Sequence, residues 1–114
     1  MKISEDTLQR QCISWFRWKY PTYRLRLWHS PNGGSRNVIE ATKLKSMGVV
    51  PGVCDLLLTV PKNGFAGCFI ELKVGNNSLS ANQEAFIKEH EKDYSCHVVY
   101  TITQFETVIN NYLK

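Results

Sequence analysis

Apolar and polar residues along this chain recur in two periods, and their succession predicts an αβαββαβα order. Behind Ser4, a residue type suited to capping a helix, Leu8, Cys12, Trp15 and Phe16 recur near helical spacing. Pro21 marks the exit, so a first helix is expected to about residue 19. Tyr23, Leu25 and Leu27 then alternate with Arg24, Arg26 and Trp28, the pattern of a half-buried strand over 23–29 with one basic face. Ser30-Pro31-Asn32-Gly33-Gly34-Ser35-Arg36 reads as a loop whose paired glycines let backbone N–H groups approach a ligand. A helix over 37–47 follows, with Gly48 placed to end it.

Strong apolar runs over 53–60 and 68–74, divided by 61–67, predict an antiparallel hairpin. Ser80-Ala81-Asn82-Gln83 has the form of a capping box opening a helix to about residue 92. A last strand is expected over 97–102. A second capping box, Thr103-Gln104-Phe105-Glu106, leads into Val108, Ile109, Tyr112 and Leu113. The expectation is an α/β fold, one domain over 1–114, in which a mixed four-stranded sheet is flanked by helices on both faces.

Three charges interrupt this pattern. Asp55 sits in Val53-Cys54-Asp55-Leu56-Leu57-Leu58, and Glu71 and Lys73 sit in Phe69-Ile70-Glu71-Leu72-Lys73-Val74. A charge where a sheet buries surface costs several kcal/mol unless it is paired or binds a metal. Side chains alternate faces along a strand, so Asp55 shares a side with Leu57 and Thr59, and Glu71 shares one with Phe69 and Lys73. An even-sum hairpin register sets Asp55 across from Glu71 or Lys73 and gathers all three charges. A two-residue turn at Asn63-Gly64 gives an odd sum and throws Asp55 to the other face. The gathered arrangement therefore requires a longer odd-length loop or a bulge.

In that register two carboxylates can hold Mg²⁺ or Mn²⁺, which prefer oxygen ligands, with the Leu72 backbone carbonyl available as a further donor. Lys73 would orient a water and stabilise developing negative charge, because two neighbouring carboxylates favour its charged form. The same residues admit another reading, a cross-strand ion pair of Lys73 with Asp55 or Glu71 on a solvated edge, worth only about 0–1 kcal/mol.

Charge adds a partner class. Residues 1–50 carry nine basic side chains (Lys2, Arg10, Arg17, Lys19, Arg24, Arg26, Arg36, Lys43, Lys45) against Glu5, Asp6 and Glu40, a balance of +6. The remainder carries five basic residues against seven acids, or −2, which returns the total of +4. A basic half fits a polyanion such as nucleic acid, with Lys43 and Lys45 among its contacts. Arg36 beside Gly33-Gly34 is placed to grip a phosphate.

The four cysteines, Cys12, Cys54, Cys68 and Cys96, are too scattered for a zinc knuckle and read as reduced hydrophobes. His29, His90 and His97 show no ligand spacing, and the three tryptophans read as core or interface residues. No apolar run approaches the ~20 residues of a membrane span, and residues 1–6 lack the layout of a signal peptide, so a cytoplasmic location is expected.

Asp55 with Glu71-Leu72-Lys73 resembles the signature of the PD-(D/E)xK nucleases, and more specifically that of the VRR-NUC family of virus-type replication and repair nucleases. The resemblance extends to Glu5, the Pro31–Arg36 loop with Asn32, Gly33 and Gly34, Gly48, Gly52, and Leu79-Ser80 followed by Gln83. It implies a restriction-endonuclease-like fold, with Asp55 and Glu71 as metal ligands, Leu72 as a carbonyl ligand and Lys73 as the catalytic lysine. It also implies Glu5 supporting the metal or its water, and Gln83 entering the site. Cys54 stands where the family usually has proline, a place that shapes backbone and supplies no ligand.

Small stand-alone members resemble phage-type homodimeric resolvases of branched DNA, which implies a Holliday-junction activity in a bacterial host cytoplasm. A noncatalytic DNA-binding module, and a nuclease of plain duplex or single strands, are the competing expectations. On the residues alone, Glu5 is also a favourable first-turn acid, and Gln83 a capping-box amide.

Overall fold

In a computed structural model that describes residues 2–31 and 38–114, the elements follow the expected αβαββαβα order. They are α1 (Glu5–Lys19), β1 (Leu27–His29), α2 (Val38–Ser46), β2 (Leu56–Leu58), β3 (Cys68–Leu72), α3 (Ala81–His90), β4 (Ser95–Val99) and α4 (Ile102–Tyr112). The four strands form one sheet in chain order, antiparallel from β1 to β3 and parallel between β3 and β4. It is a mixed sheet with helices on both faces. No helix among the described residues is long and apolar enough to cross a membrane.

Leu8, Cys12 and Phe16 of α1 and Phe105, Ile109 and Tyr112 of α4 bury against Leu56, Leu58, Cys68, Ile70 and Leu72 on one sheet face. The opposite face carries Phe69, which packs edge-on against Phe86 and His90 of α3 and tilted against Tyr94. Every residue of β3 is buried, Glu71 included.

Ser4 caps α1 by accepting from the Thr7 N–H, as its position implies. Three elements differ most from expectation. Residues 21–26 are not strand: Pro21–Arg26 winds into a 3₁₀ helix begun by proline's fixed φ, and Leu25 is left 89% exposed. Sheet pairing of this segment therefore starts only at Arg26, whose carbonyl accepts from the Thr59 N–H at 2.8 Å and from its hydroxyl.

At the other end, α4 starts ahead of the expected capping box. Thr101 accepts from Gln104 N, and Gln104 Oε1 accepts from Tyr100 N, so the cap falls two residues earlier than Thr103. That start brings Ile102 onto the core beside Phe105 and Ile109. It also ends β4 at Val99, so the last strand occupies Ser95–Val99 rather than 97–102, its polar Ser95 and His97 bonded to each other at 2.7 Å.

The hairpin resolves the register question. Asn63 and Gly64 form the tight turn, both at positive φ (54° and 84°), with Lys62 bridged to Phe65. Yet Leu56, Leu57 and Leu58 pair with Ile70, Phe69 and Cys68. Between turn and ladder, Thr59, Val60 and Pro61 face only Ala66 and Gly67, an extra residue that acts as a bulge. It returns the strands to the even register, and one step past Leu56 that register brings Asp55 opposite Glu71.

Candidate active site

Asp55 sits just before β2, where the β1–β2 ladder opens. Its backbone carbonyl accepts from Ser30 N at 3.1 Å and lies 2.8 Å from His29 Nδ1, while its side-chain Oδ2 accepts from Leu72 N at 2.7 Å. The carboxylate thus takes the place of the next strand residue in pairing with β3. A strand residue's N–H and C=O leave the chain on the same side, so the Leu72 carbonyl also points toward Asp55. Leu72 is 1% exposed.

Glu71 is 2% exposed and Lys73 9%. Glu71 Oε2 accepts from Gln83 Nε2 at 3.0 Å and lies 4.0 Å from Lys73 Nζ, whereas Oε1 is buried without a hydrogen-bond partner. Burial pushes the Glu71 carboxyl up to about 8, with repulsion from Asp55 adding to it and Lys73 opposing it. Two carboxyls in contact, one lysine at the edge of ion-pair distance and one orphaned buried oxygen leave this group short of a positive charge. A divalent cation answers that shortage, and Mg²⁺ is commonly held by one or two carboxylates with water and substrate oxygens completing its shell. Among the described residues no cluster of three or more His, Cys, Asp or Glu side chains is close enough to hold an ion, so any such site relies on two carboxylates plus backbone. The donors present fit it. The solvated-edge reading of these charges does not hold, because Glu71 and Lys73 are both buried.

Gln83 serves two purposes. Its Oε1 accepts from Ser80 N at 2.9 Å, completing the capping box of α3, while its Nε2 holds Glu71. Helix capping and site contact share one amide. The bond depends on Gly52, whose φ is +85° and where a Cβ would overlap the Asn82 carbonyl and lie 2.8 Å from Gln83 N. Gly52→Ala should push α3 off the strand, break the Gln83–Glu71 bond and lower thermal stability by about 2 kcal/mol or more, read by thermal unfolding. An unchanged melting curve would refute this account of Gly52.

A cleft of about 370 Å³ opens beside Asp55, lined by Glu5, Asp6, Gln9, His29, Pro31, Asp55 and Leu72. The structure therefore brings Glu5 to the same opening as Asp55 and the Leu72 backbone, while Gln83 reaches the group through Glu71. Asp6, Gln9 and His29 also line the cleft, beyond the site residues expected from the sequence. Gln9 was legible from its helical spacing to Glu5, Asp6 from its own i,i+3 spacing to Gln9, and His29 from its place at the end of the strand that pairs with β2. Lys43 and Lys45 lie exposed in the last turn of α2. Asn32, Gly33, Gly34 and Arg36 lie outside the described residues.

The cysteines are free, and burial raises the thiols of Cys12 and Cys68 to about 12 and that of Cys96 to about 11. They are inert, space-filling groups. Trp15 packs edge-on against Tyr20 and Phe105, while Trp18 is exposed.

A solved structure described as "VRR_NUC domain protein" superposes on this chain with a TM-score of 0.85 at 25% sequence identity, covering 99% of this chain and 90% of the other. No family profile matches the chain. None of the curated proteins compared with it matches either.

Proposed function

Since the chain belongs to the VRR-NUC family, we propose that it is a divalent-metal-dependent endonuclease that hydrolyses DNA phosphodiester bonds, selective for branched substrates such as four-way junctions. The observation that carries this reading is the convergence of Asp55, Glu71 and the buried Lys73 beside a polar cleft. Asp55, Glu71 and the Leu72 carbonyl would hold Mg²⁺ or Mn²⁺, with Glu5 supporting the ion or its water from α1. The bound ion would polarise phosphoryl oxygens, acidify a coordinated water and neutralise charge as the pentavalent transition state forms.

The chain's own groups do the rest. Gln83 holds Glu71 through Oε2, and Oε1, which has no hydrogen-bond partner, would be left for a cation. Lys73 keeps its ammonium within 4.0 Å of Glu71, positioned to orient an attacking water and to stabilise charge on the phosphorane oxygens. Water is excluded from one side of the group by β3 and α3, which strengthens each of these interactions.

Asn32, Gly33, Gly34, Arg36, Lys43 and Lys45 are assigned to the DNA backbone, on the basic half of the chain. One site cuts one strand, so paired nicks across a junction call for a symmetric homodimer. The exposed apolar side chains of α2, Val38 and Ile39 above all, supply a surface for such an association.

The test is cleavage of labelled junction, flap and linear duplex in Mg²⁺, Mn²⁺ or EDTA. Paired nicks in junctions with either metal, and none in EDTA, are expected. Junctions bound but left whole in both metals would place the protein among noncatalytic binders. Faster cutting of linear duplex would move the activity to that substrate.

A further inference from the structure

The outer face of α1 carries a second groove that the site above does not use. It measures about 390 Å³ and is lined by Gln9, Arg10, Ile13, Ser14 and Arg17. Gln9 lines both this groove and the cleft beside Asp55, so the two adjoin at that residue. Arg10, Ser14 and Arg17 stand at i, i+4 and i+7 on the helix and are exposed. Neither arginine takes part in the ion pairs Lys73–Glu71 and Lys92–Glu89. None of the three side chains makes a hydrogen bond to another described residue.

We propose that this groove is a track for the phosphates of the DNA strand leaving the cleft, with Arg10 and Arg17 each contacting one phosphate and Ser14 donating between them. The proposal rests on the nuclease reading for the identity of the strand, and on charge and spacing for the track itself. Seven residues of helix rise about 10.5 Å from Arg10 to Arg17, and long arginine side chains spanning that rise can reach separate phosphates of one strand. Ile13 forms an apolar floor on which the arginine stems and deoxyribose can lie. A guanidinium takes a phosphate through two parallel N–H donors, which suits a groove read by shape and charge without regard to base sequence.

Equilibrium binding of fluorescent duplex and junction DNA in EDTA, over a range of salt, tests the track apart from cleavage. The full chain is compared with the double variant Arg10→Gln/Arg17→Gln and with a charge-matched control, Lys88→Gln/Lys92→Gln, on and after the far helix. Binding by Arg10→Gln/Arg17→Gln should weaken equally across sequences, and the slope of log K against log salt should flatten by about 2, one for each lost phosphate contact. The control should keep the wild-type slope. Circular dichroism confirms that both variants fold, as glutamine is a good helix former.

A wild-type slope in the arginine variant, or equal flattening in the control, overturns the proposal. Wild-type chain that binds no DNA overturns it together with the nuclease reading. Wild-type chain that binds through these arginines yet cuts nothing leaves the track standing and removes only the catalysis.

Discussion

Lys73→Met should lower single-turnover cleavage by about 10²- to 10³-fold while leaving DNA affinity in EDTA unchanged. Lys73 is 9% exposed, and its stem lies in the sheet while its ammonium faces Glu71 at 4.0 Å. Methionine keeps the length and apolar character of that stem, so the variant is expected to fold. What disappears is the cation, and two explanations for a lost rate then have to be separated. Lys73 lowers the Glu71 carboxyl, so its removal leaves that carboxyl harder to ionise and weakens metal affinity. If this were its whole role, saturating Mn²⁺ would restore the rate. If the ammonium acts on the water and the phosphoryl oxygens, the deficit persists at saturation. Restoration by excess Mn²⁺ would reduce Lys73 to an electrostatic neighbour of Glu71.

The order of elements and the mixed sheet were readable from periodicity because each long element obeys its own local rule. Ser4 and Ser80 cap as their positions imply, and the buried stripe of Leu8, Cys12 and Phe16 follows helical spacing. Residues 23–26 defeated the same logic, while Leu27–His29 kept the expected strand. Alternation there was real, but Pro21 and the local Tyr20–Tyr23 backbone bond wind the segment into 3₁₀ turns before the sheet can claim it. The start of α4 was decided by tertiary packing of Ile102, a preference that two overlapping capping patterns, Thr101 to Gln104 and Thr103 to Glu106, do not distinguish locally.

The site was legible only as a conditional. Facing of Asp55 and Glu71 required an irregularity that the Asn63-Gly64 signal argues against, and the structure keeps both the turn and the irregularity. A bulge at Thr59–Pro61 depends on how the hairpin meets its neighbours, through Thr59 with Arg26 on one side and Ala66 with Asp93 on the other. Such long-range bonds leave no local pattern. The same holds for Gly52, whose demand comes from the Asn82 carbonyl thirty residues away in sequence.

Glu71→Gln should make the metal-free protein more stable than wild type at pH 8, by about 2 to 4 kcal/mol, and should change it little at pH 4.5. The sign follows from the direction of the shift. Burial raises the folded-state carboxyl from 4.5 to about 8, so between those values the folded chain binds a proton that the unfolded chain has released. Stability of the wild type therefore falls as pH rises through this window, and the glutamine variant, with nothing to titrate there, escapes that part of the fall. Glutamine can also still accept from Gln83 at one end while its amide N–H₂ meets the Asp55 carboxylate at the other, so the packing against α3 survives.

Mn²⁺ should reverse the ranking at pH 8. A cation seated against Asp55 and Glu71 requires the carboxylate, so its binding should release a proton and raise the melting temperature of wild type far more than that of the variant. Unfolding curves from pH 4.5 to 8.5, in EDTA and in Mn²⁺, read all of this in one series. A stability difference that stays flat across pH would show that Glu71 is ionised in the folded chain without metal. The orphaned Oε1 would then need a partner other than a divalent ion.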